Sequence, residues 1–356
     1  MPATGLPAIG FGQKVTGGGS HPTKILRVTS VNNTGAGTLA EAIATVNGAS
    51  TQSAGYPAYE IVIATGSTPI SANTKAHTIT ARNLTIRGTG NAVIERNQLA
   101  FDCRTADNII LQDLRFISNG NDDPRDAITI DGTRGRGGTG FWIDRCVFQA
   151  YFDLSITTNT RDLAGAPPLL VTISHCRFYD DNPNGAAHKN HGAIGIHGTG
   201  GKTRDKATNA YATVCRNVFS KVRRRSPRSS HLTVVHAFNN VLLDWGTNNA
   251  GDEQANGMES GHFGILLAGA NYFSANVLKE TVSLSADSAQ PARFTNGTDP
   301  RQNVYVNGAK ETRDKGDHIF RETIYREGLR NTGTIPIAQP MTNTLRDTIQ
   351  TEAPMP

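Results

Sequence analysis

Six stretches of the chain share one pattern of apolar positions, and that repeat constrains the fold more than any other feature. They are IILQDLRF (109–116), FWIDRCVF (141–148), VTISHCRF (171–178), ATVCRNVF (212–219), VVHAFNNV (234–241) and LLAGANYF (266–273). The first and third positions are apolar in nearly every copy, the alternation that a half-buried strand requires. The phase then changes so that the sixth and eighth positions point inward, which demands a turn between the third and the sixth. The sixth column reads Leu114, Cys146, Cys176, Asn217, Asn239, Asn271, and the eighth Phe116, Phe148, Phe178, Phe219, Val241, Phe273. Columns of like residues are what a coil stacked on itself produces, because equivalent positions then lie one strand spacing apart. Stacked asparagines can pass hydrogen bonds from coil to coil and so satisfy buried amides. HTITARNLTI (77–86) reads as an earlier, weaker copy.

The copies begin roughly 22 to 41 residues apart, a spread that a solenoid absorbs as loops on one side. The expected architecture is all-β: a single right-handed parallel β-helix domain over residues 1–356. Its amino-terminal cap would occupy about 8–50, its coils about 60–280, and long loops and a tail 281–356. In GTLAEAIATV (37–46), Leu39, Ala42, Ile43 and Val46 recur at helical spacing. A short helix there would cover the open first coil.

Composition agrees and narrows the partners. With 37 Gly, 37% hydrophobic and 18% charged residues, the chain is turn-rich and has apolar residues enough for a core, which excludes disorder. A formal charge of +5 suits a polyanion: nucleic acid, acidic polysaccharide or an anionic surface. The four cysteines, Cys103, Cys146, Cys176 and Cys215, form no C-x-x-C pair and read as buried thiols. No apolar stretch approaches the roughly 18 residues needed to span a membrane. The start, MPATGLPAIGFG, lacks the basic and apolar regions of a secretory leader; either a leader has been removed or the protein has none.

Positive charge concentrates in KVRRRSPR (221–228), which carries Lys221, Arg223, Arg224, Arg225 and Arg228. Such a run is a solvated face, a nucleic-acid patch or one wall of a site. Nucleic-acid binding would want interleaved aromatics or a recognition helix, and neither is present. GTGGKT (198–203) fails as a phosphate loop because Ile196 stands where the first glycine is required. His188, His191 and His197 fit no zinc spacing and read as solvated loop histidines.

Four segments together carry a family resemblance: GFGQKVTGGG with ILRVTSVNNTGAGTLAEAIA, DAITIDGT with FWIDRC (126–146), VTISHCRF, and RSPRSSHLTVVHAFNN (225–240). In this order, over about residues 8–280, they resemble bacterial pectate lyases of polysaccharide lyase family 1. The resemblance implies β-elimination on a chain of uronic acids. The C5 proton lies α to a carboxylate, and its removal builds a dianionic, enediolate-like state that cations aimed at it would stabilise. It also implies that the arginine of an R-x-P motif takes the proton and that calcium bridges protein and substrate carboxylates.

Carried onto this chain, the resemblance makes Arg225 the catalytic base, with Arg224 and Arg228 beside it disfavouring its charged form. Arg224 is its nearest rival. The family's second arginine falls on Ser230, and Arg228 is expected to bind substrate in its place, together with Arg224 and Lys189. For calcium, Asp126 and Asp153 match ligands. Pro124 occupies a third ligand position, for which Asp123 or Asp122 would substitute, and Thr157 a fourth. Two or three carboxylates hold Ca²⁺ weakly, with waters and substrate oxygens completing the shell. The implied partner is an acidic polysaccharide, polygalacturonate or a related polyuronate, met by a monomer that binds neither nucleic acid nor membrane. The implied location is extracellular, by secretion or on a virion. The alternative is a carbohydrate-binding β-helix, such as an adhesin or a phage virion component, that keeps the groove without efficient chemistry.

Overall fold

The computed structural model describes residues 10–354 apart from 13, 20, 50–55, 71–75, 97, 119–125, 134–138, 150, 152, 162–166, 181–191, 200–209, 246–255, 285–292, 297–302 and 311–338. Among the described residues, the chain winds through three parallel sheets of ten, eight and eight strands. The first sheet runs in chain order from Lys24–Val28 through Asp107–Gln112 and Ala210–Cys215 to Arg293–Asn296. The second runs from Val93–Glu95 to Val304–Lys310, and the third from His77–Ile79 to Val282–Leu284. Each coil contributes one strand to each sheet in its middle portion, which makes the molecule a parallel β-helix. The coiling extends further than the repeat implies: it starts at Lys24, inside the expected cap, and reaches Lys310. HTITARNLTI is a corner rather than a copy, because His77–Ile79 lies in the third sheet and Arg82–Gly88 in the first.

Each repeat is a first-sheet strand, one tight turn and a second-sheet strand. Ile109, Phe141, Val171, Ala212, Val235 and Leu266 stand level in register. The turn is made by a left-handed residue at the fifth position: Asp113, Arg145, His175, Arg216, Asn239 and Ala270 have φ between 47° and 56°. This corrects the fifth copy by one residue. Val235, not Val234, aligns with its neighbours, so Asn239 is the turn residue and Asn240 occupies the sixth column. Leu242, not Val241, stands opposite Phe219 and Phe273 in the eighth. A slip of one would have turned the whole second-sheet strand inside out.

The corrected column is a continuous amide ladder. Asn217 Nδ2 donates to Asn240 Oδ1 at 3.0 Å, Asn240 Nδ2 to Asn271 Oδ1 at 2.9 Å, and Asn271 Nδ2 to Asn303 Oδ1 at 2.9 Å. Each of those three acceptor oxygens also takes the backbone N–H of the asparagine before it, at 2.9 to 3.1 Å. At the cysteine end, the Cys176 N–H donates to Asn217 Oδ1 at 2.9 Å. Inside, the rings of Phe116, Phe148, Phe178 and Phe219 stack at 5.1, 4.8 and 4.9 Å. All four cysteines are buried free thiols.

The amino-terminal helix, Leu39–Ala49, buries Leu39, Ala42, Ile43 and Val46 against the first coils. Ahead of it, the glycine-rich start lies as an arm across the outside of the first sheet. Phe11 N donates to Thr213 Oγ1 at 3.0 Å, Gly12 N to Thr172 Oγ1 at 2.9 Å and Gly18 N to Thr85 Oγ1 at 2.9 Å. At Gly17, φ is +54° and a Cβ would fall 2.3 Å from Thr85 Oγ1, so only glycine fits. A carboxyl-terminal helix, Asn343–Glu352, buries Ile349 against Val218 and Val241. Among the described residues, no helix is long and apolar enough to cross a membrane.

Candidate active site

The outer face of the third sheet carries a row formed by Thr129, Thr157, Gly195, Arg228 and Glu259, one residue per coil. Just before the strands of that row, Asp126, Asp153 and Arg225 leave their turns. The backbones of Asp153 and Arg225 are fixed by a neighbouring coil: Gly192 N donates to Asp153 O at 2.7 Å and Ile194 N to Arg225 O at 2.9 Å. Arg225 is in the left-handed region, φ 58°, sparsely populated for residues with a Cβ. Its side chain packs over Gly192, where a Cβ would come within 3.2 Å of Arg225 Cβ and Cδ and 2.9 Å of Leu154 Cδ2.

Acids and arginines alternate in a chain of contacts on this face, Asp153 to Arg225 to Glu259 to Arg228. Arg225 Nη1 lies 3.2 Å from Asp153 Oδ1 and Arg225 Nε 3.7 Å from Glu259 Oε2, while Arg228 Nε lies 3.1 Å from Glu259 Oε1. The Arg225, Arg228 and Glu259 side chains are only 14%, 15% and 19% exposed, so the pairs that Glu259 makes meet where water screens them little. Burial lowers the pKa of Arg228, with Glu259 opposing. Burial, then repulsion from Arg225, lowers that of Arg224. Asp126 moves the other way: burial first, then the negative charge of Asp153, push it up to about 7, against the Leu154 N–H, which donates to its Oδ1 at 3.1 Å, and against Arg225.

Of the residues predicted from sequence, Asp126, Asp153, Arg225 and Arg228 come together, and Arg224 lies close enough to respond to Arg225, Glu259 and Asp153. Lys189, Asp122, Asp123, His188 and His191 fall outside the described residues. Ser230, where the family's second arginine would stand, is fully buried. His197 is not a solvated loop residue: it lies within Gly192–Thr199, paired with Ser230 on the next coil. Burial and then Arg228 push its pKa down to about 3, which keeps the imidazole neutral. His231 stacks on His262 at 4.8 Å, and its own pKa is lowered by burial and by His262. Sequence reasoning missed Glu259, His231 and His262. His231 lies inside RSPRSSHLTVVHAFNN without an assigned role, whereas Glu259 and His262 lie in no quoted motif, and the stacking of coils sets Glu259 against Arg228 and His262 against His231.

Among the described residues, no group of three or more His, Cys, Asp and Glu side chains is arranged to hold a metal ion. Asp126 and Asp153 nonetheless form an oxygen-only pair whose mutual repulsion a hard cation would relieve. Toward the amino-terminal coils of the same sheet, a cavity of about 380 Å³ is lined by Ala100, Asp102, Arg104 and Asp131 among others. There Arg104 Nε donates to both oxygens of Asp102 at 2.9 and 3.0 Å.

The model of the pectate lyase family, Pectate_lyase_4, matches residues 2–315. The chain belongs to the pectate lyase family. Membership makes it a lyase of the pectate lyase type. Solved pectate lyases share its fold at low sequence identity. One from Xanthomonas campestris is 16% identical with a TM-score of 0.61, covering 98% of this chain and 96% of its own. One from Paenibacillus sp. 0602 is 16% identical with a TM-score of 0.56, covering 94% and 88%. A pectate lyase C variant in complex with pentagalacturonic acid is 13% identical with a TM-score of 0.58, covering 97% and 95%. A search of curated protein sequences finds no significant match.

Proposed function

We propose that this pectate lyase family member cleaves a polyuronate, polygalacturonate foremost, by β-elimination with Arg225 as the base. The observation that carries the reading is the clustering of Arg225 and Arg228 with Asp126 and Asp153 on one face of the third sheet. A related fold binds pentagalacturonic acid, and the net charge of +5 suits such a polyanion. In this reading Arg228, with Arg224 and Lys189, holds substrate carboxylates, and Arg225 acts on the sugar between them. The C5–H proton passes to Arg225. Its bonding electron pair forms the C4–C5 double bond, and the C4–O bond to the next sugar breaks with its pair kept by that sugar's oxygen, which takes a proton from solvent, leaving an unsaturated uronate end. Arg225 must be neutral at the moment it accepts the proton, an unusual state for a guanidinium. Asp126 and Asp153, with Asp123, would hold calcium weakly. When bound, the ion supplies positive charge that draws electrons from the substrate carboxylate and acidifies the C5 proton.

All these groups come from one chain, in keeping with a monomer. A uronic-acid polymer lies outside cells, so the reading carries an extracellular or virion-borne location with it. The test is the ultraviolet absorbance of unsaturated uronate ends. Polygalacturonate, its methyl ester, alginate and a glucuronan are offered with calcium and with chelator to wild type, Arg225→Ala and Arg224→Ala. The expected result is growth on polygalacturonate that calcium supports and that Arg225→Ala lowers by about 10²–10⁴-fold, the usual contribution of general-base catalysis. Greater loss in Arg224→Ala would transfer the role to Arg224. Growth on no polymer, with binding retained, would replace this reading by a carbohydrate-binding β-helix.

A further inference from the structure

We propose that Glu259 is a positioning residue that sets the geometry of both groove arginines, an inference resting on the lyase reading above. Glu259 lies on Met258–Gly261, one coil beyond Arg228, where its Cα pairs with that of Arg228 and its N–H donates to Pro227 O at 3.0 Å. Its backbone is thus fixed by the loop that carries the arginines. The two carboxylate oxygens diverge, Oε1 toward Arg228 Nε at 3.1 Å and Oε2 toward Arg225 Nε at 3.7 Å. Its side chain is 19% exposed, so it is a constituent of the site rather than a solvated acid.

Arg225 is held from two sides. Asp153 meets its terminal nitrogen from the preceding coils, and Glu259 meets its Nε from the following one. Asp153 is 46% exposed and is also wanted near Asp126, where its charge raises the Asp126 pKa. If Asp153 turns toward a cation or a substrate, Glu259 is the acid that still restrains Arg225. The same carboxylate separates Arg225 from Arg228, two like charges whose repulsion would otherwise splay the guanidinium groups. An arginine that must fork a substrate carboxylate depends on such orientation. A displacement of about 1 Å at a reacting group costs on the order of 100-fold in rate.

The decisive experiment compares wild type, Glu259→Gln, Glu259→Asp and the control Glu280→Gln, whose parent forms an exposed pair with Lys310 at 2.6 Å. Kinetics on polygalacturonate, trigalacturonate affinity by calorimetry and thermal melting are measured for each. Glu259→Gln is expected to lose on the order of 100-fold in kcat/KM, with both kcat and KM affected and the melt unchanged. Glu259→Asp should regain part of that loss, and Glu280→Gln should match wild type. Glu259→Gln within threefold of wild type overturns the proposal. So does a loss that follows a lowered melting point and is not eased in Glu259→Asp, because the residue would then be structural. If wild type cleaves nothing, the lyase reading fails by itself and affinity decides: trigalacturonate binding weakened about tenfold in Glu259→Gln supports positioning, and equal affinity or no binding by wild type overturns it.

Discussion

Replacing Asp126 by asparagine should stabilise the protein at alkaline pH and reveal what the site costs the fold. Asp126 is buried beside Asp153, and its pKa rises from 3.8 to about 7 on folding. A carboxyl group whose folded pKa is raised binds more protons folded than unfolded between those values, so stability falls as pH rises through that interval. At 1.36 kcal/mol per pH unit, the displacement corresponds to on the order of 4 kcal/mol lost by pH 8 relative to pH 3. The asparagine side chain would keep the oxygen that accepts from Leu154 N and remove the charge. The assay is urea unfolding of wild type and Asp126→Asn with chelator at pH 5, 6.5 and 8. Taking the difference between the two proteins cancels every group that titrates in both. The variant should be the more stable by a few kcal/mol at pH 8, and the gap should shrink steadily toward pH 5. Calcium should narrow the gap at pH 8 if the carboxylate pair binds it, because a ligand that binds only the folded state stabilises that state. An equal pH dependence in the two proteins, or a variant less stable at pH 8, would refute the reasoning that burial and Asp153 hold Asp126 in an unfavourable charge state.

Two further outcomes test the framework around the site. Asn240→Ala removes the acceptor of Asn217 N and Nδ2 and the donor to Val214 O and Asn271 Oδ1. Buried groups left unpaired cost about 1–3 kcal/mol each, so chemical unfolding should show a loss of at least roughly 3 kcal/mol. Gly192→Ala places a methyl group against Arg225 and Leu154; product formation should fall at least about tenfold, since small misplacements at a reacting group are costly, with thermal melting nearly unchanged.

The stacked-coil architecture was legible in the sequence because its defining contacts repeat. Phe116, Phe148, Phe178 and Phe219 each meet the same residue type one coil away, so a stacking interaction becomes a sequence period. The capping helix was legible for the same kind of reason: its buried face of Leu39, Ala42, Ile43 and Val46 is a local pattern. Arg225, Asp126 and Asp153 were identified only through short motifs, not through any contact between them that the sequence displays. At the doublet Asn239–Asn240 the sequence reading places Asn239 in the column, since either residue can fill an amide column, and that placement is one residue off. Backbone pairing decided it by making Asn239 the left-handed turn residue. No rule of composition marks the fifth position, where aspartate, arginine, histidine, asparagine and alanine all adopt that turn.

The sequence by itself determined that the chain coils, which residues face inward in five of the six copies and where positive charge gathers, because each is a property of neighbouring or periodic positions. Only the tertiary structure decided that Glu259 sits between Arg225 and Arg228, that Asp153 crowds Asp126, and that His197 is held neutral beside the arginines. Those relations join side chains on different coils. The register that joins them depends on backbone pairing along the whole stack, and their charge states depend on how much water that stacking excludes.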